Sequence, residues 1–379
     1  MKFTQARQLQ PLKLLTSLTF ALAGIHIQSS SAQALTFNLN PSFDPTTTQG
    51  SKALAGFKAA GELWSNIFTD DVTVNLDISF SALEPGVVGQ AGSNTLFFDY
   101  DTILNALHTD ATSAKDQLGV LNLPTGPELS FLTTNPQTGE QFLDNNGSIN
   151  NLFLAVTSAN AKALGLTRDA NGTLVDSITA DASISFNSNF GFDFNRSDGI
   201  NNDQFDFVGV AAHEIGHALG FTSGVDFVDI LSNPNGPLAS LDLNLDDLVV
   251  ASNLDLYRYS DESTGKGALD LAPGNAAYFS LDGGKTTLGT FSTGSYNGDG
   301  RQASHWKDNL GLGLMDPTVD FGELLSISRL DAQAFDVIGW NATSSAVPEP
   351  SSWAGLVAIG LGILTQRKRL AKTHCSISD

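Results

Sequence analysis

Residues 213 to 217 read His-Glu-Ile-Gly-His, inside the stretch Asp206-Phe-Val-Gly-Val-Ala-Ala-His-Glu-Ile-Gly-His-Ala-Leu-Gly-Phe221. On a helix, positions i and i+4 share a face, so His213 and His217 can grip one metal ion. Glu214 sits about 100° round the same helix, where a carboxylate can hold and deprotonate a water at the metal. The flanks agree with a helix. Asp206 is a candidate N-cap and Gly220 a natural stop. Val208, Ala212, Ile215 and Leu219 recur at spacings of 4, 3 and 4, an apolar stripe roughly opposite the histidines. The pattern predicts one face fitted to a core and the other to a cleft.

A catalytic zinc site takes three protein ligands and a water, so a third ligand is needed. A short motif with the next histidine six residues after His217 would place it at position 223, which is Ser223, a poor ligand. Asp226 is an oxygen donor three residues further on, and Glu262 and Glu323 are downstream glutamates. The best candidate is His305, in Gly300-Arg-Gln-Ala-Ser-His-Trp-Lys-Asp-Asn-Leu-Gly-Leu-Gly-Leu-Met-Asp-Pro317, with Met315 ten residues after it in a Leu-Met-Asp-Pro turn.

Together these segments resemble the metzincin superfamily, and in particular the leishmanolysin-type peptidases. In that group a remote third histidine in a Ser-His-Trp context precedes a Leu-Met-x-Pro turn. The run Ser328-Arg-Leu-Asp-Ala-Gln-Ala-Phe-Asp-Val-Ile-Gly-Trp340 is similar to the family's closing helix. The resemblance implies that His213, His217 and His305 hold zinc, that Glu214 is the general base, and that Met315, with Gly220 ending the helix, supports the site. It further implies an α+β fold: a mixed-sheet N-terminal lobe, a central zinc-binding helix and a smaller, loop-rich C-terminal lobe. The activity implied is zinc-dependent endopeptidase, with a protein or peptide substrate. Two departures stand out. The 87 residues between His217 and His305 exceed the family's spacing and predict an insertion within 226–304, and a disulfide-rich family is matched by a chain with one cysteine.

Both ends carry address signals. Lys2, Arg7 and Lys13, the apolar run Leu14 to Ile27 and Ala32-Gln33-Ala34 read as a secretory signal over 1–34, with a mature start at Leu35. Val347-Pro-Glu-Pro350, the apolar stretch Trp353 to Leu364 and the basic cluster Arg367-Lys-Arg369 resemble a PEP-CTERM sorting signal over 346–370, followed by a cytoplasmic tail at 371–379. The resemblance implies export in a Gram-negative bacterium, handling by export machinery and an exosortase-like enzyme, transient membrane anchoring, and delivery to the cell envelope, surface or extracellular matrix. Cys375 lies in the tail, so the mature domain has no internal disulfide and no thiol to cap a zinc ion. The leader removes three basic residues from the total, and the segment after Val347 removes four basic and two acidic. Residues 35–347 therefore carry 12 basic and 38 acidic residues, a net of −26. Such a surface repels nucleic acid and anionic lipid.

Between the ends lies a peptidase domain over 35–345, with an N-lobe to about 221 and a C-lobe from about 222. Helices are expected at 53–68, with Leu54, Phe57, Leu63 and Trp64 inward, and at 102–118. A strand is expected at 71–80, where Val72, Val74, Leu76 and Ile78 alternate, and others at 152–156 and 182–186. A Gly/Pro-rich loop is expected to run to about Gly147. The strand around Asp181 to Asn187 is the candidate upper edge of the cleft, where a substrate backbone could pair. Asp198-Gly-Ile-Asn-Asn-Asp203 with Asp206 has a composition suited to calcium, without EF-hand spacing. The reading that competes with a peptidase is a catalytically silent zinc-binding matrix or adhesion protein. The same zinc chemistry could also attack a non-peptide amide or ester.

Overall fold

The computed structural model describes residues 35–238, 241, 243–343 and the backbone of 375–378. The leader, the Pro-Glu-Pro motif and the apolar stretch after it lie outside the described residues. The chain opens with β1 (Thr36–Pro41), α1 (Thr48–Ser65) and β2 (Thr73–Ser81). The two strands run parallel, with Thr36 opposite Thr73, and α1 is the crossover such a pair requires. The Thr47 side chain caps α1 by accepting from the Gly50 amide, which starts the helix five residues before the expected boundary. Phe57 and Trp64 are fully buried, and Leu54 and Leu63 pack at the core's margin. In β2 the alternation holds: Val74, Leu76 and Ile78 are buried.

β3 (Val87–Ser93) and β4 (Thr95–Asp99) follow. The helix expected over 102–118 is two, α2 (Tyr100–Asp110) and α3 (Ala114–Leu121). Ser113 causes the break, because its hydroxyl accepts from the Asp116 amide and so opens a new helix. The stretch read as loop contains a hairpin of β5 (Phe131–Thr134) and β6 (Gln141–Asp144), with Phe131 opposite Asp144. All four residues of β5 are buried, so it shows no alternation to read. α4 (Ile149–Leu152), β7 (Phe153–Thr157), α5 (Ser158–Ala163) and β8 (Ala182–Asn187) complete this half. β7 pairs antiparallel with β4.

β8 lies inside the main sheet, parallel to β2 on one side and antiparallel to β3 on the other. The expected cleft edge at 181–187 is therefore displaced: both edges of β8 are filled, and β3 is the strand beside the helix that carries His213 and His217. β9 (Phe192–Asp193) and β10 (Phe205–Asp206) lead into α6 (Phe207–Leu219). A cluster of aromatic rings, Phe57, Phe186 and Phe207 at its centre, packs α1, the sheet and α6 together.

The long segment between α6 and His305 is loop-rich with short elements: α7 (Gly224–Leu231), β11 (Arg258–Tyr259), α8 (Asp261–Thr264), β12 (Leu269–Asp270), β13 (Tyr278–Phe279) and β14 (Gly289–Thr290). β13 pairs antiparallel with both β11 and β14, while β12 adds to β5. β15 (Thr318–Val319) and α9 (Arg329–Val337) follow, and the backbone of β16 (Cys375–Ser378) runs between β3 and β15. The fold is thus mixed α+β, with one continuous core reaching from Leu35 to Trp340. Among the described residues no helix is long and apolar enough to cross a membrane.

Candidate metal centre

The α6 helix begins and ends as its sequence requires. The Asp206 carboxylate accepts from the Gly209 amide at 3.0 Å and the Leu325 amide at 3.1 Å, and pairs with Arg196 at 3.1 Å. Burial raises its pKa nonetheless, against the pull of these partners. Gly220 closes the helix with φ of 119°, a left-handed conformation that suits glycine. Every residue from Phe207 to Leu219 is buried. The expected division into a core face and an open face is therefore not present: α1 and β3 pack along the helix, and His305 meets its two histidines.

His213 and His217 meet His305 at a single point. The three Nε2 atoms stand 3.0 to 3.2 Å apart, and all three rings are at most 1% exposed. Each Nδ1 donates to a backbone carbonyl: His213 to Leu314 at 2.8 Å, His217 to Phe221 at 2.8 Å and His305 to Gln302 at 3.3 Å. A carbonyl can only accept, so each Nδ1 carries a proton and each neutral ring turns an Nε2 lone pair inward. Three lone pairs facing one another in a buried space repel unless a cation sits among them. Tetrahedral coordination at about 2.0–2.1 Å puts ligand nitrogens about 3.3 Å apart, close to the spacing found. The histidines fit a metal ion, and they are the group of donors among the described residues close enough to hold one.

The other candidates are occupied elsewhere. Ser223 caps α7 and donates to Asp255. Glu262 lies on the surface at α8, and Glu323 accepts from the Asp320 amide. His108 is exposed on α2. Asp226 sits near the centre without joining it: its carboxylate accepts from the Ala303 and Ser304 amides, holding the backbone that leads into His305. In the loop suited to calcium, Asp206 is turned away to cap α6, and Asp198 accepts from Asn195. Its carboxylates do not gather into a donor group.

Glu214 is wholly buried on α6, between the two helix histidines in sequence. A Cβ built on Gly89 of β3 would come within 2.8 Å of Glu214 Oε1. The glycine therefore lets the strand's backbone lie against the carboxylate, where a larger residue would push the Glu214 side chain aside. Met315 lies beneath the helix. A Cβ on Gly216 would be 2.5 Å from its sulfur, so a second glycine makes room for the turn. Beside His217 a cavity of about 420 Å³ opens, lined by Ser93, Phe97, Thr157 and Phe227 among others.

Three further residues, none marked as part of the site by its local sequence motif, support it. The Asp331 carboxylate accepts from the Leu314, Met315 and Ser328 amides and from the Trp306 indole, at 2.7 to 3.3 Å. It ties the methionine turn, the residue after His305 and the start of α9 into one knot. Burial raises its pKa. Ser328 and Asp331 form a capping box, and the Ser-x-x-Asp spacing was the available signal. Buried Arg258 donates to the Ala303 and Ser292 carbonyls, and the Ser292 amide donates to the His305 carbonyl. Nothing in its local sequence marks this role. Gly89, inside a strand, was readable as a site of close backbone approach.

Trp64 and Trp340 brace α6 itself, their indole N–H groups donating to the Ala212 and Leu219 carbonyls at 2.8 Å. No protein-family model, curated protein or solved structure matches this chain.

Proposed function

We propose that the protein is an exported zinc-dependent endopeptidase. The observation that carries this reading is the convergence of three inward Nε2 lone pairs next to a buried glutamate on the same helix. Three neutral imidazoles suit several divalent transition metals. Zinc is preferred because near-tetrahedral spacing and a His-Glu-x-x-His helix belong together in hydrolytic zinc sites. Bound there, zinc would polarise a carbonyl oxygen and lower the pKa of water from 15.7 towards about 7.

The remaining steps belong to the chain. His213, His217 and His305 present nitrogen donors fixed by their Nδ1–H bonds, so the ligand geometry is set before any ion arrives. Glu214 accepts a proton from the attacking water as its oxygen bonds to the scissile carbonyl carbon. It then gives that proton to the amide nitrogen as the C–N bond breaks, so one water is consumed and an acid and an amine are released. The backbone of β3 at Gly89 is the element against which an extended substrate would lie. The leader and the sorting-like C-terminal segment are the grounds for export to the cell envelope or matrix.

The test is zinc content alongside casein cleavage, for residues 35–347 and for the Glu214→Gln variant. One zinc per chain in both, with cleavage confined to the parent, is expected. Zinc in both with no cleavage by either would leave the matrix-scaffold reading standing. Near-parent activity in Glu214→Gln would remove the glutamate from its assigned role.

A further inference from the structure

The slot between β3 and β15 is filled by a strand from far away in the sequence. On one side Ser376 is paired with Val87 and Ser378 with Gln90, in parallel, and on the other Thr318 faces Ser376 and Val319 faces Cys375, antiparallel. Both walls are parts of the metal centre. Gly89, whose backbone abuts Glu214, lies between the two paired positions of β3, and β15 begins three residues after Met315. A backbone laid in this slot is bonded along both edges, which is how an extended peptide is gripped without regard to its side chains. His213, Glu214 and His305 beside this slot have no exposed surface.

We propose that the slot is a receiving site for extended peptide and that Cys375–Ser378 is its intramolecular occupant, keeping the chain latent until the segment is withdrawn. This rests on the peptidase reading for its consequence, though not for the docking itself. The occupying residues belong to the segment that the sequence places beyond a membrane anchor. A strand in the cleft and a tail across a membrane exclude one another, so anchoring or removal of the sorting segment would vacate the slot. Activity would thereby be confined to molecules that have been sorted. The device can be both effective and reversible. As part of the same chain, a short strand meets its slot at an effective concentration in the millimolar range, whereas a severed one is diluted to its bulk concentration. A handful of backbone bonds, each worth about 0.5–1.5 kcal/mol net, cannot hold it there once cut.

The full chain, carrying a site for a specific added protease between Val347 and Pro348, allows the comparison before and after cutting. A second variant, Ser376→Pro with Ile377→Pro, removes one N–H facing each neighbouring strand and leaves the chain intact. Hydrogen exchange at the amides of 87–90 and 318–319 reads the docking directly, with or without metal. Both treatments are expected to speed exchange there by at least about tenfold, and to raise casein cleavage by a similar factor with zinc content unchanged. Unaltered exchange after both treatments would overturn the docking, even if casein is cleaved throughout. Faster exchange with zinc bound and no cleavage in any form would uphold the docking and sink the peptidase reading. Faster exchange with cleavage as rapid before cutting as after would overturn latency.

Discussion

His213 and His217 ride on a regular helix, whereas His305 rides on a loop, and the two are held by opposite means. The helix histidines need only the i, i+4 relation and a cap at each end. Around them the contacts are mostly apolar, with Gly216 giving Met315 its place. The loop histidine has no regular backbone beneath it. Its position depends on polar side chains from three distant points: half-buried Asp226 on α7, and buried Arg258 on β11 and Asp331 on α9. A helix spreads its support over many weak contacts, while the loop concentrates it in a few groups that each satisfy several donors or acceptors. Damage should therefore be graded on the helix side and abrupt on the loop side.

The sharpest way to break this contrast is Asp331→Ala. It strands three amides and an indole N–H in the interior, and at about 1–3 kcal/mol for each unmet donor, less than additively, a loss of about 3–5 kcal/mol is expected by denaturant titration. A loss below 1 kcal/mol would show that the loop does not hang on that carboxylate. Next in size, Asp226→Ala should weaken metal binding about 10–100-fold while leaving the circular dichroism of the helices intact. Equal weakening by changes on the exposed surface of α2 would refute a special role. On the helix side, Gly216→Ala should cost about 1–2 kcal/mol, since the flexible end of Met315 can shift. Combined with Met315→Ala the two losses should add less than fully.

The smallest effect lies away from both ligand types and serves as a control. Asp70, Asp110, Asp116 and Asp336 crowd around the loop that follows α9, where Asn341 donates to Asp70 and Asp110. Burial pushes Asp110 up to about 7 and Asp116 up to about 6. A carboxyl whose folded pKa is raised favours the folded state in its protonated form. Its contribution is complete below about pH 4 and is lost as pH rises through 6 and 7. Stability should therefore decline across that window, and Asp110→Asn should flatten the decline without altering metal content. A parent and variant with parallel pH curves would sink this assignment.

The same contrast governs what was legible beforehand. The α6 helix, its Asp206 cap and its Gly220 stop could be read because every determinant lies within fifteen residues. So could β2, where alternation is local. Ser113 caps α3 by accepting from the Asp116 amide, which splits one expected helix into two. The β5 strand, buried on both faces, had no period to reveal it. His305 became a candidate through its Ser-His-Trp and Leu-Met-Asp-Pro surroundings, yet the groups that place it act across 16 to 78 positions of chain, Arg258 across 34 and 45, and leave no local trace. The assumed cleft edge failed for the same reason, since strand order is a long-range property: β8 has the pattern of any half-buried strand, and only its neighbours make it interior.

Three of the chain's four tryptophans touch the elements that carry the histidines. Trp64 and Trp340 are bonded to α6, Trp306 follows His305, and all three are fully enclosed. The protein thus contains its own optical gauge. Their ultraviolet emission should be blue-shifted, and it should change in step with metal uptake, so the centre can be titrated in the native chain without label, dye or substrate.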